Sequence, residues 1–138
     1  MILALLDSLR HARRRTRLDA AQAPGRRGED LAHRFLRRQG FVIVARNYRL
    51  PTGGAEADLI AWEGDKLVIV EVKSRDTGDF GPPERAIGEE KRHRLLRLAR
   101  EYALRAAVPW ERVRFDVVTV VLTNPPEITL FRGFPISA

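Results

Sequence analysis

The sequence predicts an α/β domain, a three-layer sandwich with a mixed central sheet between helices, on three observations. Two stretches, GRRGEDLAHRFLRRQG and the segment from about Pro83 to Ala107, space their apolar residues at helical intervals. Four runs, FVIVARNYR, EADLIAWE, KLVIVEVKSR and RVRFDVVTVVL, are rich in β-branched residues and bounded by Gly, Pro or polar residues. Their order of helix, strand, strand, strand, helix, strand calls for helices on both faces of one sheet. At 138 residues the chain has room for one hydrophobic core, and the domain is read as residues 25–132.

Residues 1–24 read as a basic, flexible arm. Seven arginines within residues 1–27 face only Asp7 and Asp19, a balance of +5 that leaves +2 of the net +7 for the rest of the chain. Such an arm either follows phosphates electrostatically or is a solvated leader. In MILALLDSLR the arginine follows the apolar run, the reverse of a secretory signal, and no apolar run approaches the roughly 20 residues that cross a bilayer. The expectation is a cytoplasmic protein with no membrane partner.

The first helix buries Leu31, Ala32, Phe35 and Leu36 and stops at Gly40. Glu29 falls about 20° from Leu36 on the helical wheel, bordering the buried stripe, whereas Asp30 points outward among arginines. Glu29 either faces the sheet edge as a site residue or serves as a first-turn carboxylate on the helix dipole. A strand over FVIVARNYR and a PTGG loop lead into a hairpin. Gly64-Asp65 suits a two-residue turn that pairs Glu63 with Lys66. Continued along the strands, this register sets Asp58 opposite Glu71 and Glu56 opposite Lys73. All four would lie on one face with Ile60, Trp62, Leu67 and Ile69, and Ala57, Leu59, Ala61, Val68, Val70 and Val72 would lie on the other.

Cross-strand partners stand about 4.5 to 5.5 Å apart, so two carboxylates there repel unless a cation lies between them. The alternative is a solvated sheet end in which Lys73 neutralises its acidic neighbours. The rest of the composition narrows what the cation is. There is no cysteine, and His11, His33 and His93 are scattered. Thiolate zinc, disulfides and a Cys nucleophile are therefore excluded, and a carboxylate-held ion favours Mg²⁺ or Mn²⁺. No serine sits in a nucleophile elbow, and PTGGAEA lacks the GxxxxGK phosphate loop.

Beyond a Gly/Pro-rich connection, the second helix turns Ile87, Leu95, Leu98 and Tyr102 inward. Lys91 falls within that stripe, where it either snorkels or meets an anion. Arg114 and Asp116 stand near the start of the next strand and either pair with each other or join site groups. A last strand over EITLF follows, and Gly133 onward reads as a C-terminal tail, 133–138.

Asp58 followed by Glu71-x-Lys73 resembles the PD-(D/E)xK signature of restriction-endonuclease-like nucleases. GRRGEDLAHRFL, RNYR, EADLI, VEVKSR, KRHRLLRLAREY and RFDVV, in this order, are together similar to the YraN family of small bacterial proteins, which resembles archaeal Holliday-junction resolvases. The resemblance covers residues 25 to about 122. It implies a restriction-endonuclease-like αβββαβ core and metal-dependent hydrolysis of phosphodiester bonds, in DNA more than RNA, with branched junctions in repair or recombination as candidate substrates. It also implies a homodimer. Under it Asp58, Glu71 and the backbone carbonyl of Val72 hold Mg²⁺ or Mn²⁺, and Lys73 orients or deprotonates water or stabilises the phosphorane. Glu29 assists metal or water, and Glu56 binds a second ion or steadies Lys73. Lys91 and Arg114 are candidates for nucleic-acid contact. The rival expectation is a non-catalytic nucleic-acid- or protein-binding module that keeps the same fold.

Overall fold

The computed structural model describes residues 23–77, 81 and 87–136. Residues 1–22 of the basic arm, residues 83–86 of the expected second helix and the last two residues of the tail lie outside the described residues. Helix α1 (Ala23–Arg38) is followed by β1 (Val42–Arg49), β2 (Glu56–Glu63), β3 (Lys66–Arg75), α2 (Glu89–Arg105), β4 (Val113–Val121) and β5 (Glu127–Phe131). A short 3-10 turn, Trp110–Arg112, leads into β4. The strands lie side by side in chain order, and all neighbours are antiparallel except β3 and β4. That parallel pair needs a crossover, and α2 lies within it.

Each helix closes its own core. α1 sets Ala32 and Leu36 against Leu59, Ala61, Val68, Val70, Val118 and Val120. α2 sets Leu95, Leu98 and Ala99 against Ile60, Leu67, Ile69 and Val117 on the other side. The expected α/β architecture, a mixed sheet with a helix on each face, is present. Because β2, β3 and β4 are apolar on both sides, each fully buried Leu or Ile contributes about 1.5 to 3 kcal/mol. α1 stops where expected: Gly40 takes φ +95°, and the Phe41 amide returns to the Leu36 carbonyl at 3.0 Å.

Two boundaries are corrected. α2 begins at Glu89, not near Pro83, because Gly88 is extended (φ −69°, ψ 161°) and the helix starts where Glu89 and Glu90 meet its dipole. Ile87 reaches the core from the loop before the helix. The stretch read as a tail also belongs to the core. Gly133 turns at φ +72°, the Phe134 amide donates to the Phe115 carbonyl at 2.7 Å, and Phe134 and Ile136 are buried on the α2 side.

Gly28 lets α1 approach β3 closely. A Cβ there would meet Ser74 Cβ at 2.4 Å and Ser74 Oγ at 2.6 Å. Gly28→Ala is expected to cost about 1 to 3 kcal/mol, as overpacking does. Placing it on a Ser74→Gly background should recover most of that loss in a urea-unfolding double-mutant cycle. An identical loss in both backgrounds would mean that the contact is not the cause. No helix among the described residues is long and apolar enough to cross a membrane.

Candidate active site

The hairpin forms with the expected turn and register. Gly64 takes φ +59°, and pairing runs from Glu63 opposite Lys66 to Leu59 opposite Val70. There it stops. The expected pairs of Asp58 with Glu71 and Glu56 with Lys73 are not made, because β2 and β3 separate. β2 stays on β1, with Tyr48 opposite Ala57 and Arg49 opposite Glu56, whereas β3 stays on β4, with Glu71 opposite Val117 and Lys73 opposite Thr119. Two like charges at the head of the split favour the separation. The Val72 amide, left without a strand carbonyl, donates to Asp58 Oδ2 at 2.8 Å. By the alternation of an antiparallel ladder, the Val72 carbonyl points toward the same gap.

The split goes with a twist in both strands. On β1, Arg46 reaches Asp30 of α1, yet Tyr48 packs edge-on against Tyr102 of α2 with ring centroids 5.2 Å apart. On β2, Leu59 joins the α1-side core, and Ala57, expected on the same face, joins the α2-side core. Both changes of face fall at facing positions, Asn47 and Asp58. Asn47 has φ +50°, a left-handed conformation that strand residues rarely adopt and that Asn tolerates better than most.

Glu71 lies on the α2 side at 4 % exposure, the most buried of the predicted site side chains. Its Oε1 accepts a hydrogen bond from Lys91 Nζ in the first turn of α2, and Lys73 Nζ stands 3.8 Å from the same oxygen. Its Oε2 is buried and has no hydrogen-bond partner among the described residues. Burial, and after it the Asp58 carboxylate, push the Glu71 carboxyl up to about 7, against the opposing pull of Lys91 and Lys73. A buried carboxylate with one idle oxygen, near a second carboxylate at a split between strands, keeps acceptor capacity that the described residues leave unfilled.

The other predicted residues separate into two groups. Lys73 and Lys91 join Glu71 directly. Glu56 does not steady Lys73; its carboxylate is half-buried and lies 3.5 Å from Arg49. Glu29 lies on the α1 side, accepting from Asn47 Nδ2 at 3.3 Å with Arg46 Nη2 3.7 Å away, and Asp30, expected outward, accepts from Arg46 at 2.9 Å. Among the described residues no three acidic or histidine side chains converge. An ion here would therefore rest on Asp58, Glu71, the Val72 carbonyl and water. Oxygen donors of this kind suit Mg²⁺ or Mn²⁺.

Arg114 is not available to nucleic acid in the way expected. Its Nε and Nη2 donate to Asp116 Oδ1 and Oδ2 at 2.8 and 2.7 Å, and Nη2 also reaches Glu63 at 2.6 Å. Arg132 donates twice more to Glu63, at 2.9 and 2.8 Å, and the Gly133 amide donates to Asp116. These bonds, that of Arg132 first, hold the Glu63 carboxyl below the usual carboxylate range. Arg114 is held here because the Asp116 side chain is fully buried and must be paired. This network ties the hairpin turn to β4 and β5. Sequence reasoning missed Asn47 and Arg46. The signal present was an asparagine in a strand interior, where that residue is depleted.

The fold and these side chains define an α/β protein whose polar groups collect where two central strands part. A family model described as uncharacterised protein family UPF0102 matches residues 28–120. A UPF0102 protein of Solibacter usitatus (strain Ellin6076) is 56% identical over 109 residues, covering 79% of this chain and 83% of the relative. One from Koribacter versatilis (strain Ellin345) is 49% identical over 110 residues (79% and 76%), and one from Nocardia farcinica (strain IFM 10152) is 46% identical over 107 (78% and 83%). The chain belongs to the UPF0102 family, the YraN family that its sequence blocks resemble. Every residue of the candidate site, from Glu29 to Lys91, lies within the matched span.

Proposed function

We propose that this protein is a metal-dependent endonuclease that hydrolyses phosphodiester bonds in DNA, with a preference for branched or junction substrates, and that it works in the cytoplasm as a homodimer. The observation that carries this reading is Glu71: almost fully buried, with Oε2 unpartnered, next to Asp58 and two lysines. The preference for DNA, the branched substrate and the homodimer rest on the resemblance to junction resolvases.

Asp58, Glu71 and the Val72 carbonyl would hold Mg²⁺ or Mn²⁺ at the split. Such an ion, when bound, neutralises charge on the scissile phosphate and acidifies a water. The Val72 amide holds Asp58 in place through its 2.8 Å hydrogen bond, so this carboxylate needs little reorganisation on binding. Lys73, 3.8 Å from Glu71 Oε1 and on the same face, orients the attacking water and stabilises negative charge on the pentacovalent phosphate. Lys91 holds Glu71 and, at 40 % exposure, extends toward solvent where a phosphate oxygen would approach.

A panel of duplex, flap, four-way-junction and single-stranded DNA, with matching RNA, tests this with Mg²⁺, Mn²⁺ or chelator. Cleavage should require the ion, be fastest on branched DNA, and fall at least about 100-fold in Glu71→Ala. If the parent cuts none of these with either ion, the protein is a binding module that keeps the fold.

A further inference from the structure

We propose that Asn47 is a positioning residue of the site: its amide nitrogen holds the Glu29 carboxylate toward Asp58, and its amide oxygen receives a hydrogen bond from a water on the β1 side of β2. This rests on the metal-dependent reading above and extends the site through the sheet to the α1 side.

Four observations converge on Asn47. It stands opposite Asp58, since the pairs flanking it are Arg46 with Leu59 and Tyr48 with Ala57. It is also where β1 changes face, at φ +50°. Glycine would satisfy that backbone without strain, so the conformation alone does not account for an amide side chain here. Its Nδ2 donates to Glu29 Oε2 at 3.3 Å, which couples the first turns of α1 to the strand facing Asp58. Finally, its Oδ1 is buried without a hydrogen-bond partner among the described residues. Asn47 on β1 and Glu71 on β3 thus stand on the strands at either side of Asp58, each with a buried oxygen left idle among the described residues. An oxygen acceptor that the protein leaves unfilled is suited to a water held in place for reaction.

The chemistry separates the two sides of β2. Asp58, Glu71 and the Val72 carbonyl supply the oxygens for the cation. Asn47 and Glu29 supply an acceptor and a carboxylate for a water bound next to it, with Arg46 Nη2 3.7 Å from Glu29 helping to hold that carboxylate in place.

The test combines Mn²⁺ titration followed by calorimetry with steady-state cleavage of a four-way junction. It uses the parent, Asn47→Gly, Glu29→Gln, the double variant and Glu71→Ala. Asn47→Gly keeps the left-handed backbone, and relief of its strain offsets the lost Glu29 hydrogen bond and the added freedom of the unfolded chain, so its thermal midpoint should stay near that of the parent. Its Mn²⁺ affinity should fall about tenfold, the lower range for a group that orients metal ligands. Its kcat should fall with KM unchanged, and on the Glu29→Gln background Asn47→Gly should have much less effect. If Asn47→Gly binds Mn²⁺ and turns over like the parent while Glu71→Ala does not, the role of Asn47 is overturned and the metal site stands. If the parent itself binds no Mn²⁺, both fall together.

Discussion

Replacing Glu71 with glutamine is expected to stabilise the metal-free protein at pH 8 by about 2 to 3 kcal/mol while abolishing its response to Mn²⁺. Burial and the neighbouring Asp58 raise the folded carboxyl from 4.5 to about 7. Between those two values the folded chain keeps a proton that the unfolded chain has lost. Stability therefore falls as pH rises through that window, and the full penalty is present above pH 7. Glutamine resembles the protonated carboxyl and can still accept from Lys91, so the variant should show no such slope and should match the parent near pH 4.5. Added Mn²⁺ should reverse the order by stabilising only the parent, about 2.7 kcal/mol at a hundredfold excess over the dissociation constant. Urea titrations at pH 5 and pH 8, with and without Mn²⁺, measure all four corners. Equal stability of parent and variant at pH 8 without metal would mean that Glu71 bears no charge penalty in the folded protein.

The second large effect is structural. Arg114→Ala is expected to destabilise the fold by about 3 to 5 kcal/mol, because it leaves the fully buried Asp116 carboxylate without its bidentate partner. The loss should be much smaller in Asp116→Asn/Arg114→Met, which removes both charges. Mn²⁺ affinity per folded molecule should be unchanged, since this network lies at the hairpin-turn end of the sheet. A stable Arg114→Ala variant with weakened DNA binding would instead return Arg114 to the role of a nucleic-acid contact.

Much of this architecture is legible in periodicity and turn chemistry. The β2–β3 register follows from Gly64-Asp65, and the two-sided apolar pattern of β2, β3 and β4 fixes them between helices. What periodicity does not carry is the point where a ladder ends. Uniform alternation places Asp58 opposite Glu71 and Ala57 beside Leu59; the left-handed Asn47 and the Asp58–Val72 hydrogen bond undo both. Glu29 and Glu56 were read from one dimension of spacing, and their partners, Asn47 and Arg49, come from a neighbouring strand whose twist is set by the fold. Phe134 and Ile136 follow a glycine at the end of a short strand and look like a tail, since nothing local indicates that the chain returns to the core. Lys91 is the opposite case. An ammonium within an apolar helical stripe calls for an anion, and Glu71 is that anion.

The central claim is that Asp58 and Glu71, with the Val72 carbonyl, form one seat for a divalent cation. Calorimetric titration of the whole protein with Mn²⁺ at pH 6 and pH 8, in buffers of different ionisation heat, tests it most directly. One ion should bind per chain, more tightly at pH 8 than at pH 6, with a proton released near neutral pH as the ion displaces it from Glu71. Absence of saturable binding at millimolar Mn²⁺, or binding that survives Glu71→Gln unchanged, would contradict it.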